Sequence, residues 1–505
     1  MDGSLRINGK ETKEMSLFEI SKTVGTVLQD SDGQFVGLTV AEDIAFALEN
    51  ECTTEPELHD RVLQVSQKVE VDKFLDHAPT QLSGGQKQRV SIAGIMVDDV
   101  EVFLFDEPLA NLDPATGKKA IELIDEIQKE SGATVIIVEH RLEDVLWRHV
   151  DRVILMNEGR IIEDTTPDIL LSENLLTESG IREPLYITAL KYAGVEIKPE
   201  MHPWSIREIK LSKEDCEKVR NWYEEIPDEI SEDKRTVLLE AEKIDFSYSN
   251  GHNAVKDISL SIKKGELVAI VGTNGAGKST FAKLICGFEK QDAGTITFDG
   301  VDLSELSIKE RADRIGYVMQ NPNQMISKVM IKDEVALGLK TRGVSDEEIE
   351  VRVNEVLKVC GLYPFRNWPV SALSYGQKKR VTIASILVLN PDMIILDEPT
   401  AGQDYRHYTD IMEFLAELNS KGISIILITH DMHLMLEYAE RAVVFCNGQK
   451  IADAPCADIL TNPEIIEKAS LKETSLYDLA LMCKINSGRD FVRKFIEFEK
   501  AARKL

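Results

Sequence analysis

The chain has 505 residues, and its 87 acidic side chains outnumber its 59 lysines and arginines to give a formal net charge of −28. Such an acidic surface repels phosphate backbones, which excludes nucleic acid as the default partner. The seven scattered cysteines form no C-x-x-C pair, and no apolar stretch reaches the roughly 18 residues of a membrane span, so the sequence indicates a multidomain globular protein of the cytosol.

Residues 1–165 contain short apolar runs that end in polar side chains, a pattern typical of buried strands. The runs VGTVLQ, VFLFDE and VIIVEH end at Gln29, at Asp106 and Glu107, and at His140. The segment LSGGQ lies between the first two runs and contains Ser83, Gly84, Gly85 and Gln86. We predict a first domain over this range.

Residues 166–235 contain LYITALKYAGV and VRNWYEEI, which combine helical spacing with aromatic side chains. This pattern predicts a small helical insertion rather than disorder. A second domain is predicted over 236–460. The tail, 461–505, has the amphipathic segments SLYDLALMCKI and FVRKFIEFEKAARKL and is predicted to form helices that cover the core of the second domain.

The two domains are copies of one repeat. Residues of the first copy recur 291 positions later, as in the pairs Gln29 and Gln320, Ser83 and Ser374, and Asp106 and Asp397. The second copy also contains VGTNGAGKST, whose counterpart in the first copy would lie before Met1. We therefore expect the first copy to lack its opening strands and this loop, through a misplaced start, a truncated sequence or a natural half-domain.

The loop follows the apolar run ELVAIVG and precedes the helical segment FAKLICGF, which is the context of a phosphate-binding loop. Its glycines let backbone N–H groups close around phosphate oxygens, while Lys278 reaches the terminal phosphates and the Ser279 hydroxyl ligates Mg²⁺. Tyr248, which precedes the loop, is a candidate for stacking on an adenine ring or an ordinary strand residue. The predicted nucleotide-binding loop comprises Gly272, Thr273, Asn274, Gly275, Ala276, Gly277, Lys278, Ser279 and Thr280.

Three further segments of the second copy supply catalytic candidates. The buried run MIILDEP ends in Asp397, a predicted Mg²⁺ ligand, and Glu398, which would polarise the attacking water. His430 ends SIILITH and would position the γ-phosphate and the water, unless it only caps a helix. Gln320 would sense the metal ion and the water.

Together, LSGGQ, the phosphate loop, the Asp-Glu pair and the histidine resemble the ATP-binding cassette (ABC) ATPases. The resemblance implies an α/β fold of two P-loop NTPase domains, each with a mostly parallel sheet core, an antiparallel subdomain and a helical subdomain. In this family two cassettes pack head to tail, and each ATP lies between one phosphate loop and the opposite LSGGQ. The site of the second copy would thus be completed by Ser83, Gly84, Gly85 and Gln86.

The other site is expected to be degenerate. It has Gln29, Asp106, Glu107 and His140 but no phosphate loop, and its signature segment reads Ser374-Tyr375-Gly376-Gln377. Tyr375 stands where a glycine would let backbone approach phosphate. The hypothesis is one competent ATP site per chain.

Within the family, the fused cassettes, the insertion and the segments GLTVAEDIAFALEN and MIKDEVALGL look like the ATPase subunit of energy-coupling-factor (ECF) importers, most closely those for thiamine or hydroxymethylpyrimidine. The resemblance implies a peripheral protein on the cytoplasmic face of the membrane, bound to a transmembrane T subunit and a substrate-binding S subunit. Glu42, Asp43, Asp333 and Glu334 either pair with arginines of the T subunit or are solvated helix acids.

The sequence leaves two alternative functions. A translation factor of the ABC-F type would need a long basic linker, whereas residues 196–235 contain 12 acidic and 8 basic side chains. A non-enzymatic remnant would follow if the first domain, without its first strand and helix, exposed apolar surface and were unstable.

Overall fold

The computed structural model describes residues 3–29, 33–110, 112–227, 234–249, 251–399 and 405–502. They belong to two compact units, Met1–Val153 and Ile154–Leu505.

The first unit is built around a parallel sheet of three strands, in the spatial order β3 (Val24–Val27), β4 (Val102–Asp106), β5 (Thr134–Val138). Helix α2 (Val40–Asn50) begins at a capping box in which Thr39 and Glu42 bond each other's backbone N–H groups, and it buries an apolar stripe against the core. The elements in chain order are β1 (Arg6–Ile7), β2 (Lys10–Glu11), α1 (Leu17–Ser21), β3 (Val24–Val27), α2 (Val40–Asn50), α3 (Glu55–Lys68), α4 (Gly84–Met96), β4 (Val102–Asp106), α5 (Pro114–Ser131), β5 (Thr134–Val138) and α6 (Leu142–Val145).

The second unit opens with a hairpin and a group of helices. The hairpin strands are β6 (Val153–Asn157), which starts at the boundary, and β7 (Arg160–Thr165). The helices are α7 (Pro167–Ser172), α8 (Leu175–Glu178), α9 (Leu185–Tyr192) and α10 (Lys213–Glu225). The described part of the predicted insertion thus contains four α-helices joined by irregular segments.

The second repeat copy follows. Its elements are β8 (Val237–Ser247), β9 (Asn253–Lys263), β10 (Leu267–Gly272), α11 (Lys278–Cys286), β11 (Ala293–Phe298), β12 (Val301–Asp302), α12 (Ile308–Ala312), β13 (Ile315–Val318), α13 (Ile331–Thr341), α14 (Asp346–Val359), α15 (Tyr375–Leu387), β14 (Met393–Asp397), α16 (Tyr405–Ser420), β15 (Ser424–Ile428), α17 (Met432–Tyr438), β16 (Arg441–Cys446), β17 (Gln449–Pro455), α18 (Cys456–Leu460), α19 (Pro463–Lys468), α20 (Ser475–Met482) and α21 (Gly488–Ala502).

The core of this copy is the sheet β13-β14-β15-β10-β16-β17, in which only the β17 pairing is antiparallel. Every residue of β10, β13, β14 and β15 is buried, as expected for parallel strands covered on both faces. An antiparallel sheet, β12-β11-β8-β9, and the helices α13, α14 and α15 complete it. The predicted fold class is confirmed.

The helices of the insertion pack on the helices of the tail. Helix α9 contacts α20, and α10 contacts α21. Rings of both segments form one aromatic cluster, whose members are Tyr192, Trp222, Phe491, Phe495 and Phe498. The motif L-Y-x-x-A-L opens both α9, at Leu185, and α20, at Leu476, and these positions are again 291 apart. The repeat register thus continues beyond residue 165, into the predicted insertion.

The sheet of the first copy differs from that of the second at its last strand. Ile136 and Val138 of β5 are 48% and 52% exposed, whereas their equivalents in β15, Ile426 and Ile428, are 0% and 1% exposed. The repeat offset at this strand is 290, as it is for His140 and His430. In the second copy these side chains pack in one cluster with Phe281 of α11. The described part of the first unit has no strand and helix equivalent to β10 and α11, and these two side chains of β5 are exposed there.

This contrast predicts unequal effects of one substitution. Ile426→Thr is expected to lower the free energy of unfolding by about 3 kcal/mol, because it leaves a cavity and buries a hydroxyl. Ile136→Thr at the equivalent exposed site should change it by no more than about 0.5 kcal/mol. Thermal unfolding of both variants measures the difference, and equal shifts of the midpoint would contradict it.

Candidate nucleotide site

The loop between β10 and α11 is built around three glycines and one buried lysine. Gly272, Gly275 and Gly277 have φ of 137°, 77° and 96°, in the region that favours glycine. Lys278, only 6% exposed, opens α11 and donates from Nζ to the carbonyl oxygens of Gly272 and Thr273, both at 2.9 Å. The positive charge is thus held within the loop, at the N-terminus of a helix, where anions bind.

The glycines of the loop are not equally constrained. A Cβ placed on Gly277 would lie 2.2 Å from the carbonyl oxygen of Ala254 in β9, whereas a Cβ on Gly275 would have no atom within 4 Å. Gly277 therefore fixes how closely the loop approaches β9, while Gly275 only requires a left-handed turn.

Tyr248 lies beside the loop, as the sequence suggested. Its hydroxyl is 3.0 Å from Oγ1 of Thr280, and its ring packs edge-on against Phe246 at 4.9 Å. Ser279, the predicted Mg²⁺ ligand, is half-buried next to Thr280 in the first turn of α11. The structure therefore brings the candidate adenine-stacking and metal-binding residues to the same turn.

Asp397 ends β14 at the edge of the sheet that also carries Gln320. Its Oδ2 accepts a hydrogen bond from the hydroxyl of Tyr317 at 3.0 Å, and the residue is 3% exposed. Burial raises the pKa of Tyr317 above its usual range, and the charge of Asp397 raises it further, so the hydroxyl remains a donor. Gln320 follows β13, the parallel neighbour of β14, and its side chain is exposed at this edge.

Glu398 and His430 face each other at the ends of neighbouring strands. Glu398 Oε1 is 3.3 Å from Nε2 of His430, and the two side chains are 13% and 12% exposed. Glu398 has a φ of 49°, and its backbone N–H donates to the carbonyl of Ile428 at 3.0 Å. Burial raises the pKa of Glu398 to about 8, while the charge of Lys278 opposes the shift. The carboxyl group is therefore held ready for proton transfer near neutral pH.

The donor set fits Mg²⁺ delivered with a phosphate ligand. Ser279, Gln320 and Asp397 offer a hydroxyl, an amide oxygen and one carboxylate. Among the described residues, no group of three or more His, Cys, Asp or Glu side chains is arranged to hold a metal ion. Mg²⁺ is commonly held by one or two carboxylates together with substrate phosphates and water, so these residues suit a metal that arrives with the nucleotide.

In the first unit the structure brings Gln29, Glu107 and His140 together. Gln29 Nε2 donates to the Glu107 carboxylate, and His140 Nδ1 lies 3.9 Å from it and 3.3 Å from Glu139. Burial raises the pKa of Glu107, and His140 opposes the shift. Asp106 is exposed at the end of β4. The glutamine here bonds the carboxylate directly, unlike the exposed Gln320.

Both signature segments begin a helix with the same capping box. Ser83 caps α4, where its N–H donates to Gln86 Oε1 at 2.8 Å, and Ser374 and Gln377 do the same for α15 at 3.0 Å. In this box each serine hydroxyl accepts, so its own proton is left for another acceptor. Gly84 and Gly85 form the first turn of α4, and Gly376 is half-buried in that of α15. Asp404, the repeat partner of the helix cap Asp113, lies outside the described residues.

The acidic residues after each glutamine mostly hold their own loops. Glu42 accepts from the N–H groups of Leu38 and Thr39, and Asp43 from those of Val36 and Gly37. Buried Glu334 accepts in the same way from two backbone N–H groups of the second copy, at 2.8 and 2.6 Å. Asp333 instead pairs with Lys340 at 3.6 Å. These contacts favour a role of the acidic side chains within their own loops and helices over pairing with arginines of another subunit.

Two residues beside the acidic strand were not anticipated from the sequence. Tyr317 lies within an apolar strand and corresponds to Thr26 in the first copy, so the repeat gives no signal for it. Lys379 belongs to the basic stretch QKKR, typical of a solvated helix, yet it is completely buried. Only the three-dimensional structure reveals both.

The raised pKa of Glu398 predicts a pH-dependent stability. The ordinary pKa of the group is 4.5 and its folded value about 8, so between these values the unfolded chain releases a proton that the folded chain keeps. Folding stability should therefore fall as the pH rises through this window, by up to about 1.4 kcal/mol per pH unit. Glu398→Gln lacks this group. The thermal midpoint of this variant minus that of the unmodified chain should increase from pH 5 to pH 6.5 and pH 8. A difference that stays constant would argue against the raised pKa of Glu398.

Comparison with known proteins covers most of the chain. The family model described as ABC transporter matches residues 1–110 and 255–401, and one described as ATP-binding cassette cobalt transporter matches 173–246. Within the described residues, no helix combines the length and apolar character needed to span a bilayer.

Curated relatives match along the whole chain. A protein of Clostridium perfringens named for ABC transporter ATP binding is 62% identical over 503 residues, covering 100% of this chain and 88% of its own length. An Enterococcus faecalis protein with the same description is 54% identical, with the same coverage. Among solved structures, cbiO1 of Clostridium perfringens, described as part of the complex cbiONQ, is 35% identical over 46% of this chain and 94% of its own, with a TM-score of 0.42.

A dimeric cassette bound to ADP and phosphate is 31% identical over 43% of this chain and 99% of its own, with a TM-score of 0.41. The family-model match and the identity to full-length relatives agree with the repeated motifs and the phosphate loop. This chain belongs to the ABC transporter family, as an ATP-binding subunit that hydrolyses ATP.

Proposed function

We propose that ATP is bound and hydrolysed at the second copy, by the residues gathered around its phosphate loop. The observation that carries this assignment is the buried carboxyl group of Glu398, which faces His430 at 3.3 Å and has a pKa raised to about 8. Lys278 and the loop N–H groups bind the phosphates, and Tyr248 contacts the adenine. Glu398 takes the proton of the attacking water, and His430 positions the γ-phosphate and this water.

Asp397, Ser279 and Gln320 are proposed to hold Mg²⁺. The metal ion would neutralise charge on the terminal phosphates when bound. Tyr317 keeps Asp397 in place by donating to Oδ2 at 3.0 Å. Gln320 would sense the metal ion and the attacking water through its exposed side chain.

We further propose that this site is completed by the signature segment of the first copy. By resemblance to the family, this segment comprises Ser83, Gly84, Gly85 and Gln86, and its serine hydroxyl and glycine N–H groups donate to the γ-phosphate when two cassettes close. The capping box supports this role because it leaves the serine proton available and aligns the first turn of α4. The site with Gln29, Asp106, Glu107, His140, Ser374 and Gly376 would bind ATP weakly, giving one competent site per chain.

At the level of the cell, we infer an ECF-type importer. The chain would work at the cytoplasmic face of the membrane, attached through a transmembrane T subunit that joins a substrate-binding S subunit. The match of residues 173–246 to a cobalt-transporter cassette family supports this class, because it covers the helical region between the two copies.

The solute has two candidates. Similarity to fused thiamine or hydroxymethylpyrimidine ATPases favours a vitamin-like compound. The description of the matched middle region favours Co²⁺. We rank the vitamin-like solute first, because it rests on the fused arrangement of both cassettes.

Uptake by cells that lack this chain tests the proposal. Cells carrying the unmodified chain should accumulate labelled thiamine or hydroxymethylpyrimidine, while empty cells and cells carrying Glu398→Gln should not. If cells without the chain and cells with Glu398→Gln lost only ⁵⁷Co²⁺ uptake, Co²⁺ would replace the vitamin-like compound as the proposed solute. Unchanged uptake of all three solutes would reject both candidates.

A further inference from the structure

Helix α15 carries a buried lysine that the nucleotide chemistry does not use. Lys379 is 0% exposed, and its Nζ donates to three carbonyl oxygens, those of Met319 at 2.8 Å, Gln320 at 2.7 Å and Asp397 at 3.0 Å. A buried ammonium is strongly unfavourable unless all of its donors are satisfied, and here each of the three donors has an acceptor. One side chain thus joins α15 to the ends of β13 and β14.

A second side chain of α15 reaches the same carbonyl. The hydroxyl of Tyr375 donates to the carbonyl oxygen of Gln320 at 3.4 Å. Tyr375 and Lys379 are four positions apart and therefore lie on one face of the helix. The backbone at Gln320 is held from two successive turns of the signature helix.

The first copy lacks this arrangement. The equivalents of Tyr375 and Lys379 are Gly84 and Gln88. Gln88 donates to the carbonyl of Pro108, just after the Asp106–Glu107 pair, and not to the segment of Gln29. The two repeats therefore connect their signature helices to different parts of their sites.

We propose that Lys379, assisted by Tyr375, is a positioning residue that clamps the backbone at Gln320 to the signature helix and to the end of the acidic strand. The helix, Gln320 and Asp397 then move as one body, so that a displacement of α15 is transmitted to the nucleotide site. Tyr375 accordingly serves the second copy's own site, besides occupying a position where the family carries glycine. The effect on hydrolysis rests on the function proposed above, whereas the clamp itself does not.

The charge of Lys379 is balanced mainly by dipoles. Burial lowers its pKa to about 8, and the charges of Asp397 and Glu398 oppose the shift. The three carbonyl groups hold the ammonium in place, so removal of the side chain takes this donor from the carbonyl oxygens of Met319 and Asp397 and leaves that of Gln320 with Tyr375.

Hydrogen exchange on the full chain tests the clamp directly. After Gln320, the N–H groups of Gln324, Met325 and Ile326 bond carbonyls of their own turn. In Lys379→Met these amides should exchange at least ten-fold faster. In Lys378→Met, which removes the neighbouring, half-buried lysine of the same helix, they should not. Lys379→Arg keeps charge and donors and should restore most of the protection, while Tyr375→Phe should accelerate exchange two- to three-fold.

Hydrolysis supplies the second readout. Lys379→Met should lower kcat at least ten-fold and raise the Mg²⁺ concentration for half-maximal rate, with the Kd for ATP within about three-fold of the unmodified value. Measurements well below the thermal midpoint of each variant separate this loss from unfolding. A fall in kcat that follows only the folded fraction would reduce Lys379 to a structural role.

The two proposals fail differently. Unchanged exchange in Lys379→Met overturns the clamp whatever the ATPase rate. Retained hydrolysis in Glu398→Gln overturns the catalytic assignment and leaves the exchange result valid. Should Lys379→Met not fold, Lys379→Gln, which carries the residue of the first copy, replaces it in both measurements.

Discussion

Glu398→Gln is expected to lower kcat for ATP hydrolysis at least 100-fold while leaving the Kd for ATP within a few-fold. The side chain faces His430, and its carboxyl group is buried with a pKa raised to about 8, so its ionised form is a stronger base toward water than an ordinary carboxylate. General-base groups contribute about 10²–10⁴-fold to rates. Glutamine has the shape of the protonated acid, and therefore the site should still bind nucleotide. Steady-state ATPase rates and equilibrium binding of ATP measure the two quantities.

The matched control is Glu107→Gln in the first copy. Glu107 also follows a parallel strand with positive φ and has a raised pKa. Because the described part of the first unit contains no phosphate loop, this variant should keep at least half of the ATPase rate. A comparable loss in both variants would contradict the hypothesis of one competent site per chain.

Gly277→Ala is expected to weaken ATP binding at least 100-fold. The new Cβ would lie 2.2 Å from the carbonyl oxygen of Ala254, and the residue has a φ of 96°, so the loop must move away from β9. Each ten-fold loss of affinity corresponds to about 1.4 kcal/mol. The loop backbone continues from β10 of the parallel sheet, so the free-energy cost of displacing it readily exceeds twice this value. Titration with a fluorescent ATP analogue measures the Kd.

Gly275→Ala is the control in the same loop. Gly275 has a φ of 77° but open space around its Cβ position, so only the left-handed conformation opposes the substitution. The expected penalty is about 1–2 kcal/mol, which lowers affinity roughly ten-fold. Equal losses would show that backbone conformation alone, and not the approach to β9, limits the loop. Thermal midpoints confirm that both variants are folded.

Much of the site could be predicted from the sequence because its chemistry lies in contiguous motifs. Gly272 to Thr280 run from the end of a strand through a short loop into the first turn of a helix, and the order of residues in this segment specifies its conformation. Glu398 and His430 end apolar strands, and neighbouring parallel strands bring their ends to one edge of a sheet. The repeat then gave the equivalent residues of the first copy, 291 positions earlier for Glu398 and 290 for His430.

Contacts between distant segments could not be predicted. Lys379 and Lys378 are adjacent and chemically identical, yet only Lys379 points into the space between β13 and β14. Glu334 looks like a solvated helix acid, but it is buried and bonded to the backbone of its loop. Such differences depend on which neighbour a side chain meets after folding.

The sequence by itself determined the family, the repeat and the phosphate loop, because local order and spacing carry that information. The tertiary structure decided which glycines are sterically essential, which lysine is buried, and that Ile136 is exposed where Ile426 is covered. Each of these depends on the packing of elements far apart in the chain, and the strength of burial and of steric exclusion is set by that packing.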